Sequence, residues 1–490
     1  MASLEEIKNE RLKKIDLLKK AGMQAYPATT DRDLSIALFI EHFEALEKEK
    51  EVHTLAGRVG SLRKHGALTF FDLRDGTESI QVYLKKENLG DTLFELFDNA
   101  VDESDFIEVT GVASTTKRGV RSVEPSSWKM LTKSLRPVPE SFYGLKDEEE
   151  RLRKRYLDIL LNPEVRDLLE KKTKFWDTTR SFLKDKGFLE VETPSLEVTT
   201  GGAEATPFKT HHNDFDLDVY LRISIGELWQ KKLMASGIEK TFEIGRAYRN
   251  EGSSPEHVQE FTNMECYWAY ASFREGMEFT RELYLTLAET VFDKTKFTSR
   301  GHTFDLSGEW ERIDYREAIQ NHTGIDILNT NEKEMEAKLN EMNVQYEGKT
   351  FERLLDTLWK TTRKSVSGPA FLINHPALVS PLSKAHENNP ELTERFQVII
   401  AGSEIGNGFS ELNDPEEQRQ RFEDQQKLLE QGDTEAMMPD YEFVEALEYG
   451  IPPTFGFGFG ERLFAYLADK PIREIAFFPL MKPKENQDGD

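Results

Sequence analysis

The feature that most restricts this fold is a change of period at Val52. Upstream, Leu4, Ile7, Ile15 and Leu18 recur at helical spacing in a Lys- and Glu-rich stretch, which predicts an amphipathic helix over residues 3–22. Pro27 ends that unit, and a second helical stretch spans Leu34 to Lys50. From Val52 the apolar residues alternate, beginning with Val52-His53-Thr54-Leu55-Ala56-Gly57-Arg58-Val59. Phe70-Phe71-Asp72-Leu73, Ser79-Ile80-Gln81-Val82-Tyr83-Leu84 and Phe106-Ile107-Glu108-Val109-Thr110-Gly111-Val112 follow, with Gly and Asp turns between them. A helix-like piece from Asp91 to Asn99 interrupts the series. Short strands at this spacing predict a small closed barrel, for which the five-stranded OB type is the leading candidate.

Leu135-Arg136-Pro137-Val138-Pro139 reads as a linker, because two prolines stiffen the chain and remove donors. Beyond Gly144 the pattern turns helical, and from about Lys186 strands and helices mix. The expected fold class is α+β. Its parts are a helical extension over 1–50, the barrel over 51–140, a linker over 141–155, a larger domain over 156–483 and a disordered polar tail over 484–490. A chain of 490 residues exceeds what one core normally supports, which agrees with this division.

The formal net charge of −25 opposes indiscriminate binding to nucleic acid but leaves room for local basic patches. The candidates are Lys117 to Arg121, Lys129 to Arg136 and Arg151-Leu152-Arg153-Lys154-Arg155, each with a plain solvated face as its alternative. The single cysteine, Cys266, excludes intrachain disulfides and a Cys-based zinc site. No apolar run approaches the roughly 20 residues of a membrane span. The first residues lack the apolar segment of a secretory signal, so no membrane partner and a cytoplasmic home are expected.

Four segments carry chemistry. Gly187-Phe188-Leu189-Glu190-Val191-Glu192-Thr193-Pro194 is a helix end leading to a strand that stops at proline. Phe242 to Glu251, a polar loop, then His257-Val258-Gln259-Glu260-Phe261 and Met264-Glu265-Cys266-Tyr267 read as an antiparallel hairpin. Arg249 and Glu251 there share a face, so one can grip a phosphate or carboxylate while the other meets an amine or orients the arginine. Glu404 and Glu411, separated by glycines, are carboxylates fit for Mg²⁺ or for a cationic ligand. Gly456-Phe457-Gly458-Phe459-Gly460-Glu461-Arg462 is a glycine-rich strand entering a helix, open to a flat ring or a phosphate. Taken singly, each has an ordinary structural explanation, such as an ion pair or a tight turn.

In this order the segments resemble motifs 1, 2 and 3 of the class II aminoacyl-tRNA synthetases, near 187–194, over 242–267 and over 456–463. Within that class the chain is similar over nearly its whole length to the bacterial-type lysyl-tRNA synthetase family. Ala56-Gly57-Arg58, Gly201-Gly202-Ala203, Tyr220-Leu221-Arg222-Ile223, Ser380-Pro381-Leu382 and Glu404-Ile405-Gly406-Asn407-Gly408-Phe409-Ser410-Glu411 carry that likeness. The resemblance implies an OB-fold domain beside an antiparallel catalytic sheet flanked by helices, and a homodimer with Pro194 at its interface. It implies ATP-dependent ligation of L-lysine to tRNA-Lys through a lysyl-adenylate, with Mg²⁺ as cofactor and ATP as substrate.

By the same resemblance Arg249 and Arg462 are catalytic. Arg249 meets the α-phosphate and the lysine carboxylate. Phe261 and Arg462 sandwich adenine, with Arg462 reaching the γ-phosphate, and Glu251, His257 and Glu404 complete the ATP site. Glu227 and the Gly201-Gly202 backbone hold the α-amine. Asn407 assists at the carboxylate, Glu411 and Tyr267 take the side-chain ammonium, and Glu265 orients that shell. Phe409 and Gly460 line the same pocket. Glu404, Gln397 and Glu411 are the metal candidates, and Arg63, Phe70 and Gln81 would read the anticodon.

The chain departs from the family at several of these places. Gln397 stands where a metal-binding glutamate is usual, and Glu256 where an arginine usually meets the γ-phosphate. Val258-Gln259 replace Asn-Pro, Gly226 replaces the proline before Glu227, and Val120 replaces an acidic residue. These leave two other readings: a silent paralogue acting as an RNA-binding or regulatory dimer, and a ligase that lysylates protein.

Overall fold

A computed structural model describes residues 3–139, 145, 147–203, 205–346, 348–431 and 436–484. It divides into two compact units, one up to residue 144 and one from 145 onward. The disordered tail expected over 484–490 lies, after Lys484, outside the described residues, as does part of the linker expected over 141–155.

The first unit opens with α1 (Leu4–Lys20), whose N-terminus is closed by a capping box between Ser3 and Glu6. Ile15 and Leu18 are buried as their spacing predicts, but Leu4, in the first turn, is exposed. Arg11 takes a place on the buried face, donating to the backbone carbonyl of Ser134 at 3.0 Å and to that of Glu103 at 3.1 Å. The second helical stretch is broken at His42 into α2 (Ile36–Glu41) and α3 (Phe43–Glu49).

Five strands follow, β1 (Val52–His65), β2 (Leu68–Arg74), β3 (Ser79–Lys85), β4 (Phe106–Thr115) and β5 (Arg121–Thr132), with helix α4 (Asp91–Ala100) before β4. They close in the order β1-β2-β3-β5-β4. Alternation decides which ring goes inside: Phe71 is fully buried against Phe97, while Phe70 is left partly exposed. The basic patches are more self-satisfied than their sequence implies. Lys133 is buried on Asp102 and Asp105, the latter at 2.7 Å, and Arg121 pairs with Glu44 at 2.8 Å.

In the second unit Arg151 and Arg155 both pair with buried Asp158, at 2.8 and 2.5 Å, and Arg153 pairs with Glu149. The dense arginine run is therefore a structural joint in this unit. Helix α5 (Pro163–Asp185) then leads into the central sheet. The sheet's eight strands are β6 (Leu189–Glu190), β7 (Lys240–Tyr248), β8 (Glu260–Ala269), β9 (Glu311–Asp314), β10 (Ala370–Ile373), β11 (Arg395–Ile400), β12 (Ser403–Ser410) and β13 (Thr454–Gly460). Their order across the sheet is β9-β10-β11-β12-β13-β8-β7-β6, antiparallel except for the outer pairs β6/β7 and β9/β10.

One face of this sheet is core. Phe455, Phe457 and Phe459 of β13 are all buried there, packed with Phe396 and with Tyr284 of helix α7 (Phe273–Phe292). Glycines alternate with those rings along β13, so the opposite face of the central strand carries no side chains at Gly456, Gly458 and Gly460. Helix α6 (Glu227–Ala235) lies between β6 and β7 in the chain, and α8 (Tyr441–Glu448) and α9 (Arg462–Leu467) flank β13.

Candidate active site

The bare face of β13 is the floor of a groove. Its neighbour β8 sets Asn263, Glu265 and Tyr267 opposite Gly460, Gly458 and Gly456. On the other side β12 sets Asn407 and Phe409 opposite Gly458 and Gly456. Directly opposed residues share a face, so these side chains form the two walls. From Phe261 to Tyr267 the wall of β8 runs about 20 Å at about 3.3 Å per residue, enough for two ligands end to end.

At one end stand Glu227, Glu411, Tyr267 and Phe409. Gly456 is required here, because a Cβ on it would collide with the Glu411 carboxylate and with the Tyr267 ring. Gly202 has φ +83° and lies against Glu227, whose Oε2 would stand 2.7 Å from a Cβ at that position, so the expected Gly201-Gly202 backbone and Glu227 do meet. Glu265 accepts from the backbone amide of Ile225 at 2.8 Å and from the Tyr267 hydroxyl at 3.1 Å. Burial, then the charge of Glu227, pushes Glu265 up to about 7. Burial likewise pushes Glu411 up to about 8, with Glu227 and Glu265 adding to the rise and Lys231 opposing it.

Lys231 was not anticipated from the sequence. It lies one helical turn after Glu227 on α6, and its ammonium sits 2.8 Å from Glu227 and 2.6 Å from Glu411. Phe409, Tyr267 and Phe443 surround it, with ring centroids at 5.1, 5.8 and 5.9 Å. The only hint was the Glu227-x-x-x-Lys231 spacing, which is also the commonest surface pairing on a helix.

At the other end are Phe261, Arg249, His257, Glu404 and Arg462. The Arg249 guanidinium lies 5.3 Å from the Phe261 ring centroid, and Arg462 donates to the Glu404 carbonyl at 3.2 Å. Among the described residues the cation over Phe261 is thus Arg249 and not Arg462. Burial, followed by the Arg462 charge, lowers the His257 imidazole, which shares a hydrogen bond with Ser254. Among the charges acting on Arg249, Glu251 most strongly opposes the lowering that burial causes.

The unusual Glu256 is accounted for by its partners. It accepts from the Tyr466 hydroxyl at 2.6 Å and from Ser403 at 3.0 Å, so it fastens the loop instead of confronting the groove. Burial raises its pKa, but those two hydrogen bonds and Arg462 and Arg363 outweigh that and hold it ionised. Arg363 also approaches Glu404 at 3.9 Å, a cation at this end that the sequence did not single out.

Asn407 and Gln397 occupy one register row with Gly458 between β11 and β13. Asn407 accepts from Arg395 at 2.8 Å, whereas the Gln397 amide oxygen is buried without a partner. Among the described residues no group of three or more His, Cys, Asp or Glu is arranged to hold a metal. Glu404 lies near the start of β12 and Glu411 directly after its end, about 23 Å along an extended strand at about 3.3 Å per residue, so the two do not converge on one ion. Gly226, at φ +62°, takes a backbone conformation closed to the proline usual in the family and gives α6 its own entry path.

Near Pro194 a further buried carboxyl stands out. Glu197 accepts from the Trp229 indole at 3.0 Å, while its second oxygen has no partner. Burial, against the Trp229 hydrogen bond, pushes it up to about 7. A carboxyl raised in the fold favours the protonated state, so its cost appears as pH rises from its ordinary value through 7 and is absent below. Glu197→Gln is therefore expected to stabilise the protein by about 2–3 kcal/mol above pH 8 and by little near pH 5, read by chemical denaturation at both values. Equal effects at the two pH values would refute this.

The family description "tRNA synthetases class II (D, K and N)" matches residues 147–482, and "OB-fold nucleic acid binding domain" matches 53–131. The chain belongs to the class II tRNA synthetases of this group. Its relatives include a lysine--tRNA ligase of Thermotoga maritima, 42% identical over 99% of this chain and 98% of that protein. Lysine--tRNA ligases of a Roseiflexus species and of Halalkalibacterium halodurans are each 42% identical, over 98% and 97% of this chain and 100% and 97% of their own lengths.

Proposed function

We propose that the protein ligates L-lysine to tRNA-Lys in two steps, forming lysyl-adenylate from ATP and then transferring the lysyl group to the tRNA. The observation that carries this reading is the closed, carboxylate-rich end of the groove, where Glu227, Glu265 and Glu411 converge around Tyr267. Such a pocket favours a long cationic side chain, because a neutral one would leave a buried carboxylate unpaired. Toward the other end of the groove, Phe261, Arg249 and Arg462 offer a ring and two guanidinium groups to a nucleotide.

In this arrangement Arg249 is positioned to bind both the lysine carboxylate and the α-phosphate, bringing the attacking oxygen and the phosphorus together. Asn407 steadies the carboxylate, and Glu227 with Gly202 takes the α-amine. Positioning and cationic charge are then the chain's contribution to catalysis, with no protein nucleophile. Mg²⁺ suits such a site when it arrives with the nucleotide, since it is held through one or two carboxylates plus phosphate oxygens. Glu404 and the unpartnered Gln397 oxygen would hold it, and it would neutralise phosphate charge there.

In the barrel, Arg63, Phe70 and Tyr83 stand opposite one another across β1, β2 and β3, with Gln81 two residues along β3. This outward row supports an anticodon reader in which Phe70 stacks on a base and Arg63 and Gln81 meet base edges. It disfavours protein lysylation, which has no use for such a reader. Leu189, Leu196 and Val198 are exposed around Pro194, which supports a homodimer through that segment. The secured Glu256 weakens one of the two grounds for a silent paralogue, the other being Gln397.

The deciding measurement is amino-acid-dependent ATP–pyrophosphate exchange across the twenty amino acids with Mg²⁺, followed by charging of tRNA-Lys. Lysine alone is expected to support both. Exchange driven by another amino acid, or by none, would overturn the proposal.

A further inference from the structure

Lys231 is a fully enclosed cation, its side chain 3% exposed, in the pocket assigned above to a cationic substrate. A surface Glu-Lys pair on a helix turn would need no second partner. Lys231 has one in Glu411, the residue directly after strand β12, and three aromatic faces besides. Two like charges bridged by one ammonium are held close together, and without it Glu227 and Glu411 would repel in a low-dielectric pocket. Counting Glu265, the cluster has three carboxyl groups and one resident ammonium, a balance of two negative charges once a cationic ligand draws all three into their ionised form.

We propose that Lys231 is a specificity-determining positioning residue: a resident counter-ion that fixes the pocket's balance so that a ligand bearing two ammonium groups neutralises it. Lysine brings one ammonium at its α-carbon and one at its side-chain end, while its carboxylate goes to Arg249. A neutral-chain amino acid brings only one and leaves a buried charge without a partner. Lys231 at the same time holds Glu411 beside Gly456, where the absence of a Cβ gives the carboxylate its place. This inference rests on the lysine reading.

The test uses the full chain in ATP–pyrophosphate exchange, titrating lysine at saturating MgATP, with norleucine as the one-ammonium comparison. Lys231→Met is expected to raise the lysine KM at least tenfold, with kcat and the ATP KM within threefold. Lys231→Arg, which keeps the charge, is expected to stay within threefold of the unaltered chain in all three. Lys231→Met combined with Glu265→Gln restores the formal balance and is expected to recover at least threefold in lysine KM over Lys231→Met alone. A merely structural lysine would not be rescued by removing a second charge.

An unchanged or lower lysine KM in Lys231→Met would make Lys231 an occluding plug and overturn the inference. So would a joint collapse of kcat and ATP KM, or a double variant no better than the single. Should Lys231→Met not fold, a folded Lys231→Arg with lysine KM raised tenfold overturns the inference by itself, and one within threefold supports it. Absence of lysine-dependent exchange in the unaltered chain sinks the lysine reading and this inference together. Exchange that Lys231→Met leaves untouched sinks only the inference.

Discussion

Arg249→Ala is expected to lower lysine-dependent ATP–pyrophosphate exchange by at least about a thousandfold, because it deletes the cation on which both reacting groups are proposed to meet. Removing a single preorganised donor to developing charge typically costs about 10²–10³ in rate, and a guanidinium supplies several donors with a full charge. The site favours that full effect. Arg249 is pressed against Phe261, and burial is the main cause lowering its pKa, so its charge acts in poorly screened surroundings. Arginine nevertheless remains protonated there. Its neighbours Glu251, Glu265 and Glu404 oppose Arg462 and keep the region from excess positive charge. The strand is held here chiefly through the backbone, where the Arg249 amide donates to the Gln259 carbonyl at 2.8 Å, while its side chain adds one long hydrogen bond, Nε to the Ile223 carbonyl at 3.4 Å. Thermal stability should therefore fall by only a few degrees. Arg249→Lys should recover little, because an ammonium lacks the planar fork that spans two oxygens. Exchange by Arg249→Ala within tenfold of the unaltered chain would show that the proposed meeting point is elsewhere.

How much of this was legible in the sequence depended on whether the deciding contact was local. Alternation from Val52 onward indicated the barrel, and the Phe70-Phe71 pair had to divide between its inside and outside. Gly456 to Gly460 announced a bare strand face, since a period of two puts alternate residues on one side. What the sequence hid were partners far along the chain. Glu256 looked like a misplaced charge because its partners, Ser403 and Tyr466, are 147 and 210 residues away. Arg151 to Arg155 left a nucleic-acid patch and a solvated face both open, and neither foresaw Asp158 buried between Arg151 and Arg155. Lys231 was hardest to see. Its spacing from Glu227 has an ordinary helical meaning, and only the arrival of Glu411, directly after β12, changes it.

Glu411→Gln separates the pocket's stability from its activity. The substitution keeps the shape that Gly456 accommodates and changes only charge. In the ligand-free protein, burial and the neighbouring carboxylates push Glu411 up to about 8 despite Lys231, so its ionised form burdens the fold as pH rises from its ordinary value through 8. A neutral amide removes that burden, and Lys231 keeps Glu227 as a partner at 2.8 Å. The variant should thus unfold at an equal or higher temperature than the unaltered chain, most visibly above pH 8. Catalysis should move the other way. A substrate ammonium would draw Glu411 into its charged form, and the pair so formed is proposed to distinguish lysine from a neutral chain of equal length. Losing it should reduce kcat/KM for lysine by about 10³–10⁴, the range reached when a buried polar site loses its intended partner. The ATP KM should stay within threefold, because Phe261 and Arg462 lie toward the far end of the groove. Lysine should raise the melting temperature of the unaltered chain and no longer raise that of the variant. A Glu411→Gln protein that keeps kcat/KM for lysine within tenfold, or is still protected by lysine, would mean that the ammonium is bound by another group.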